Sequence, residues 1–174
     1  MTYKIYNLLI IKILTLRRHS CSQSGMHTNT LAMNILLADD NQGDCLLFKD
    51  ALDEIDIKTS LTVSNNGKQM MKALDGSHPD VIFLDINMPC KNGYECLEDI
   101  KNNPVLTDIP VVVMSTSNSP ESISMAFQKG ATTYICKPDS FAKLVLKLEQ
   151  VLSGIRRACN EQIFPQRNIF LLAI

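Results

Sequence analysis

The chain has 174 residues, 45% of them hydrophobic, and a formal net charge of −1. That length holds one domain with a real core and short appendages, and leaves no room for a second domain of ordinary size. Residues 1–32 carry Lys4, Lys12, Arg17 and Arg18 and no acid, whereas residues 33–153 hold 10 Lys/Arg against 17 Asp/Glu; an acidic core without a basic stripe argues against nucleic acid as a direct partner, because that binding is driven by phosphate neutralisation.

Residues 5–16 are apolar, but the run is shorter than a bilayer crossing and is interrupted by Lys12. Arg17, Arg18 and His19 follow it, the reverse of a signal peptide. Ser, Thr and Asn then dominate to Thr30, which is linker composition. Residues 1–32 therefore read as a poorly ordered extension, with a membrane-surface anchor as the disfavoured reading. The six cysteines (21, 45, 90, 96, 136, 159) form no CxxC pair and no metal-ligand spacing, which suits a reducing, cytoplasmic setting.

Folding is expected to start at Met33. Asn34–Ala38 is a short apolar strand ending on Asp39-Asp40, and Leu46, Leu47, Phe48, Ala51, Leu52 and Ile55 mark a helix over about 43–55. Residues 57–63 alternate as an edge strand should; Asn65-Asn66-Gly67 is a turn, and Met70, Met71, Ala73 and Leu74 belong to a short helix. Val81-Ile82-Phe83-Leu84 has the continuous apolar character of a strand buried on both faces, and it ends on Asp85. After the loop Met88–Gly93, Tyr94, Leu97 and Ile100 predict a helix stopping before Pro104. Residues 109–114 form another apolar strand, ending on Ser115-Thr116-Ser117; Ser119-Pro120-Glu121 starts a helix that ends at Gly130. Thr132–Cys136 is the last strand, ending on Lys137-Pro138, and Phe141, Leu144, Val145, Leu148, Val151 and Leu152 line the last helix. Met70, Met71, Met114 and Met125 read as core filler, and Cys96 and Cys136 as buried thiols. The domain is taken to end at Ser153, leaving 154–174 as a tail with no output domain, which reads as an extra packed element or a loose end; its apolar finish reads equally as an association site, and a homodimer stands among the candidate partners.

Strands alternating with helices imply a parallel, doubly wound α/β sheet. In such sheets ligands bind beyond the carboxyl ends of the strands, and there stand Asp39, Asp40, Asp85, Ser115 and Lys137. Carboxylates about 5 Å apart repel by ~3 kcal/mol per pair at an effective dielectric near 20, so the cluster wants a cation. All-oxygen ligation with waters suits Mg²⁺. A carboxylate beside a cation, a lysine and a hydroxyl is a nucleophile equipped to accept a phosphoryl group.

Residues 33–153 resemble a two-component response regulator receiver domain of the stand-alone type. The likeness rests on Asp39-Asp40, on Asp85-Ile86-Asn87-Met88-Pro89 with Gly93 following, on Ser115-Thr116, and on Tyr134-Ile135-Cys136-Lys137-Pro138. It implies a flavodoxin-like (βα)5 fold with strand order 2-1-3-4-5. It implies phosphorylation of Asp85 by a histidine kinase or histidine phosphotransfer protein, and Mg²⁺ (or Mn²⁺) on Asp40, Asp85 and the Asn87 carbonyl, with Asp39 acting through water. It further implies that Lys137 pairs with the phosphoryl oxygens, that Ser115 follows the phosphoryl group with Tyr134 swinging inward behind it, and that the Lys137-Pro138 bond is often cis. Ser115 stands where threonine is commoner, with the hydroxyl retained.

Each residue alone has a plainer reading: Asp39-Asp40 as a helix-start pair, Asp85 as a turn cap, Lys137 as solvated surface, Tyr134 as packing, and Asp44 as first-turn dipole compensation. For the first four, their placement at one sheet edge outweighs the plain readings; for Asp44 the plain reading is kept. An aspartyl-nucleophile phosphatase is the alternative, but it wants an acid where Asn87 stands. A flavin or nucleotide module would want a Gly-rich phosphate loop in place of an acidic one.

Overall fold

The computed structural model describes residues 32–160; the expectations for the run at 5–16, the polar stretch at 19–30 and the tail beyond residue 160 fall outside the described residues. Along the chain run β1 (Met33–Ala38), α1 (Gln42–Asp53), β2 (Thr59–Ser64), α2 (Gly67–Leu74), β3 (Val81–Asp85), α3 (Gly93–Asn102), β4 (Val111–Ser115), α4 (Pro120–Gln128), β5 (Thr133–Cys136) and α5 (Phe141–Asn160). The strands form one sheet in the order β2-β1-β3-β4-β5, and every pairing is parallel.

Strand composition explains that order. Every residue of β3 and β4 is buried, as unbroken apolar runs in the middle of a two-layered sheet must be. β2, with its polar alternation, occupies an edge and leaves half its length open. Because successive side chains point to opposite faces, each strand feeds two cores. Ile35, Leu37, Phe83, Val112, Met114 and Ile135 pack under α1 and α5. Leu36, Ala38, Ile82, Leu84, Val113 and Tyr134 pack under α2, α3 and α4. Phe48 of α1 meets Phe83 edge-on, ring centroids 4.9 Å apart, and anchors α1 over the central strand.

The helix starts are local chemistry. Asn41, Asn66, Asn92 and Ser119 each accept backbone N–H groups of the first turn, and Asn92 with Glu95 completes a capping box.

Several expectations need correcting. Leu46 and Leu47 are 62% and 48% exposed, because α1 turns Phe48, Ala51 and Leu52 to the core instead. Met125 is exposed, and Cys136 only half-buried. β4 begins at Val111, since Pro110 has no N–H for the ladder and Ile109 turns back to bond Leu106. The Lys137-Pro138 bond is trans. Most consequential for the domain boundary, α5 does not stop at Ser153-Gly154 but continues to Asn160, burying Ile155 and Ala158. Packing against the sheet overrides the weak helix propensity of one glycine.

If that last turn belongs to the core, Ile155→Ala will lower stability by about 2–4 kcal/mol in urea melts, the cost of an unfilled core position. A change below about 0.5 kcal/mol would mark the extension as a loose appendage.

Candidate functional site

Register brings the site together. Ala38 pairs with Leu84, Asp85 with Met114, and Ser115 with Cys136. Asp39 and Asp40 therefore leave β1 beside Asp85 at the end of β3, while Ser115 closes β4 and Lys137 follows β5. Asp39 is 3% exposed and Asp85 5%, so both carboxylates are charges held inside the protein; Asp40 is exposed. One oxygen from each of the three lies within 4.8 Å of the others.

Each buried carboxylate has fixed partners. Asp39 Oδ1 accepts the Asn41 N–H at 2.9 Å, and Asp85 Oδ2 accepts the Asn87 N–H at 3.1 Å. Lys137 Nζ donates to Asp39 Oδ2 at 2.7 Å and to Asp44 Oδ2 at 2.8 Å, and stands 3.4 Å from Asp85 Oδ1. The plain reading of Asp44 is thus incomplete: it lies in the first turn of α1, but it is also the second counter-ion of Lys137. No sequence spacing could find this, because the partners are 93 residues apart.

Burial pushes the Asp85 carboxyl up, and Asp39 pushes the same way, while Lys137 and the Asn87 N–H oppose them; the net direction is upward. For Lys137, burial alone would lower the ammonium, but its bonds to Asp39 and Asp44 and the charge of Asp85 outweigh that and raise it. The lysine is therefore a permanent cation. Four carboxylates (Asp39, Asp40, Asp44, Asp85) around one ammonium leave a formal charge of −3. Clustered carboxylate oxygens with an unmatched negative charge fit a hard divalent cation.

A hydroxyl network leads away from this edge. Ser115 is buried, and its Oγ accepts the Ser117 N–H at 3.2 Å. Ser117 and Ser119 each bond Ser122 at 3.0 Å. Tyr134 is 3% exposed and donates to the Ser117 carbonyl at 2.7 Å, while Tyr94 of α3 donates to the Ser122 carbonyl at 3.3 Å. The Tyr134 ring is thus already inward, holding the β4–α4 loop at Ser117, while Tyr94 holds the first turn of α4 at Ser122. Sequence reading singled out Ser115 and Tyr134 but missed Ser122 and Tyr94; a hydroxyl-rich loop facing two tyrosines was the available signal.

Gly93 fixes the approach of α3. Its N–H bonds the Ile86 carbonyl at 2.9 Å, and a Cβ there would stand 2.3 Å from the Asp85 carbonyl oxygen. Only a residue without a side chain lets α3 begin directly behind the Asp85 backbone.

Against known families, residues 35–149 match the response regulator receiver domain. The chain belongs to that family. It is 30% identical over 126 residues to response regulator Rcp1 of Synechocystis sp., covering 68% of this chain and 86% of that protein. It is 33% identical over 110 residues to the rice two-component response regulator ORR13, covering 63% and 89%. It spans only half of DctR of Bacillus subtilis, at 30% identity over 67% of this chain. The crystal structure of the Mn²⁺-bound form of Rcp1 superposes with a TM-score of 0.63, 29% identity, and coverage of 70% of this chain and 92% of that one. The phosphorylated cyanobacterial phytochrome response regulator RcpA gives 0.63, 31% identity, and coverage of 74% and 94%. The receiver is a phosphorelay signalling module and not a classical enzyme, and it works with a cognate histidine kinase. Among the described residues no helix is long and apolar enough to cross a membrane.

Two outcomes follow from this geometry. Because folding raises the Asp85 pKa, the protonated form is the one the fold favours; that contribution is present below the unfolded carboxyl pKa and is lost as pH rises through the folded one. Asp85→Asn, which mimics the neutral form, should therefore unfold at higher urea than wild type at pH 7 in metal-free buffer, with the gap closing as pH falls through the carboxylate range. Equal midpoints at pH 7 would refute it. Gly93→Ala should cost about 1–3 kcal/mol through overpacking against the Asp85 backbone, read from the same urea melts.

Proposed function

We propose that Asp85 accepts a phosphoryl group from the phosphohistidine of a sensor histidine kinase or histidine phosphotransfer protein, and that the protein acts as a phosphorylation-dependent switch. The observation carrying this is the Asp85 carboxylate at the exit of the central strand, with Lys137 at 3.4 Å and oxygens of Asp39 and Asp40 within 4.8 Å. An Asp85 oxygen attacks phosphorus; the P–N bond to imidazole breaks as the O–P bond forms, its electron pair goes to the ring nitrogen, and a proton taken from water lets the histidine leave as neutral imidazole. The product is an acyl phosphate whose oxygens Lys137 can reach. The carboxylates of Asp39, Asp40 and Asp85 with the Asn87 carbonyl would hold Mg²⁺ or Mn²⁺, whose charge offsets that of the transferring oxygens.

Ser115 donates its hydroxyl to the phosphoryl group and gives up its bond from the Ser117 N–H. The loop it held then repacks around Tyr134, and α4 with the α5 face carries the change to a downstream protein. The partners are proteins and no nucleic acid is bound directly; a homodimer through the same face and a cytoplasmic location complete the reading. The domain would comprise 33–160, with the residues before and after it as appendages. The phosphatase alternative fails on Asn87, which offers no general acid two residues after the nucleophile.

Incubation with acetyl phosphate and Mg²⁺ should add one hydroxylamine-labile phosphoryl group to wild type by intact mass. Asp85→Asn, or wild type with excess EDTA, should remain unmodified. Equal labelling of Asp85→Asn would exclude Asp85 as the acceptor, and steady turnover of a generic phosphate ester would restore the phosphatase.

A further inference from the structure

Lys137 has three N–H donors and faces three carboxylates, but not equally. The bonds to Asp39 and Asp44 are 2.7 and 2.8 Å, whereas Asp85, the carboxylate it would serve in phosphoryl transfer, lies at 3.4 Å. The lysine is drawn toward α1. Its two close partners differ in how readily they can let go. The Asp39 side chain is 4% exposed and has no solvent to turn to, so losing the lysine would leave a buried charge unpaired. The Asp44 side chain is 37% exposed and can rotate into water at small desolvation cost. Asp44 also lines a cavity of about 130 Å³ between α1 and the β5–α5 loop, with Leu47, Lys137 and Phe141 in the same wall. Its place in the first turn satisfies the helix dipole with any rotamer, so the dipole does not explain why the carboxylate reaches Lys137.

Resting on the assignment of Asp85 as phosphoacceptor, we infer that Asp44 is a positioning residue that holds Lys137 in the unphosphorylated state and is the partner displaced when phosphoryl oxygens claim the lysine. A phosphoryl group brings a charge of about −1.5 to −2 and three acceptor oxygens to the Asp85 side of Nζ, where one exposed carboxylate cannot compete. The lysine moves toward Asp85, the Asp44 side chain turns to solvent, and the wall of the cavity at the start of α1 opens. Phosphorylation is thereby reported on the α1 side of the sheet, independently of Ser115 and Tyr134 on the other.

Because Asp44 stabilises only the unphosphorylated arrangement, removing it favours the phosphorylated one. With Mg²⁺ saturating and acetyl phosphate limiting, Asp44→Asn should raise the steady ratio of phosphorylated to free protein about two- to five-fold, the span expected for a partly exposed ion pair. Asp44→Glu should return it toward wild type. Asp50→Asn, the same charge change on an exposed position of α1 away from Lys137, should leave it unchanged. A second readout needs no turnover: binding of beryllofluoride, a phosphoryl mimic, followed by NMR, should tighten by a similar factor in Asp44→Asn, and the Lys137 Nζ resonance of the free protein should move toward its liganded position. If wild type labels but Asp44→Asn matches it in ratio and in beryllofluoride affinity, losing only urea stability, the carboxylate is a helix-start residue and the inference is overturned. An equal shift in Asp50→Asn overturns it as a bulk charge effect. A wild type that fails to label removes the Asp85 assignment and this inference with it.

Discussion

Lys137 reaches across the carboxyl edge of the sheet to Asp39 and Asp44 at hydrogen-bonding distance and to Asp85 at 3.4 Å. This one ammonium makes it tolerable for a small parallel sheet to end on buried acids. Asp39 and Asp85 each repel the other by roughly 3 kcal/mol at ~5 Å and a dielectric near 20, and burial penalises both further. The lysine and the N–H groups of Asn41 and Asn87 offset part of that strain. What remains is a concentrated negative charge at a place where the backbone is rigid. The stability it costs comes from elsewhere, chiefly from β3 and β4, whose side chains are buried at every position.

The rigidity has its own causes. Asp85 is held through its carbonyl side by the close approach of Gly93, and the loop that follows includes Cys90 at φ 68°, a conformation costly for a side chain with a Cβ. Backbone strain next to a reacting group is tolerated when surrounding packing over-determines it. Here the packing is that of α3, capped by Asn92 and Glu95 and seated on Leu97 and Ile100. The geometry around Asp85 is therefore set before any ligand arrives.

Most of the architecture was readable in the sequence because its signals were strong and local. Apolar runs at 81–84 and 111–114 could only be interior strands, Asn-Gly and Ser-Pro pairs marked boundaries, and a residue with donors or charge closed each strand of the site. What could not be read were facts that depend on distant partners. Leu46 and Leu47 share the helical period of Phe48 and Leu52, but which side of a mixed stripe faces the sheet is decided by what the sheet offers, and Phe83 took Phe48. A domain end at Ser153 leaves out the turn beyond Gly154, where the buried Ile155 supplies more than one glycine costs. Asp44 looked like dipole compensation because the lysine that gives it a second role arrives from β5. Tyr134 was expected to move inward, and it is inward already, bonded to Ser117.

That last difference bears on how one chemical event can be felt on both sides of a sheet. Tyr134 and Ile135 are neighbours on β5, yet one packs under α3 and α4 and the other under α1 and α5. Lys137 directly follows the same strand, and its backbone N–H bonds the Ser115 carbonyl at 2.8 Å. Lys137 and Ser115, the two residues assigned to the phosphoryl group in the proposed function, are therefore joined by a backbone hydrogen bond. In the inferred motion Lys137 releases Asp44 at the start of α1, and in the proposed switch a shift of Ser115 would loosen the Ser117–Ser122 network and the N-cap of α4. With the Tyr134 ring already buried, the second route cannot consist of the ring's entry alone. It must be read in the loop that the ring holds, where Ser117 has a carbonyl tied to Tyr134 and an N–H tied to Ser115. The loop has two anchors, and the proposed phosphoryl group competes for one of them.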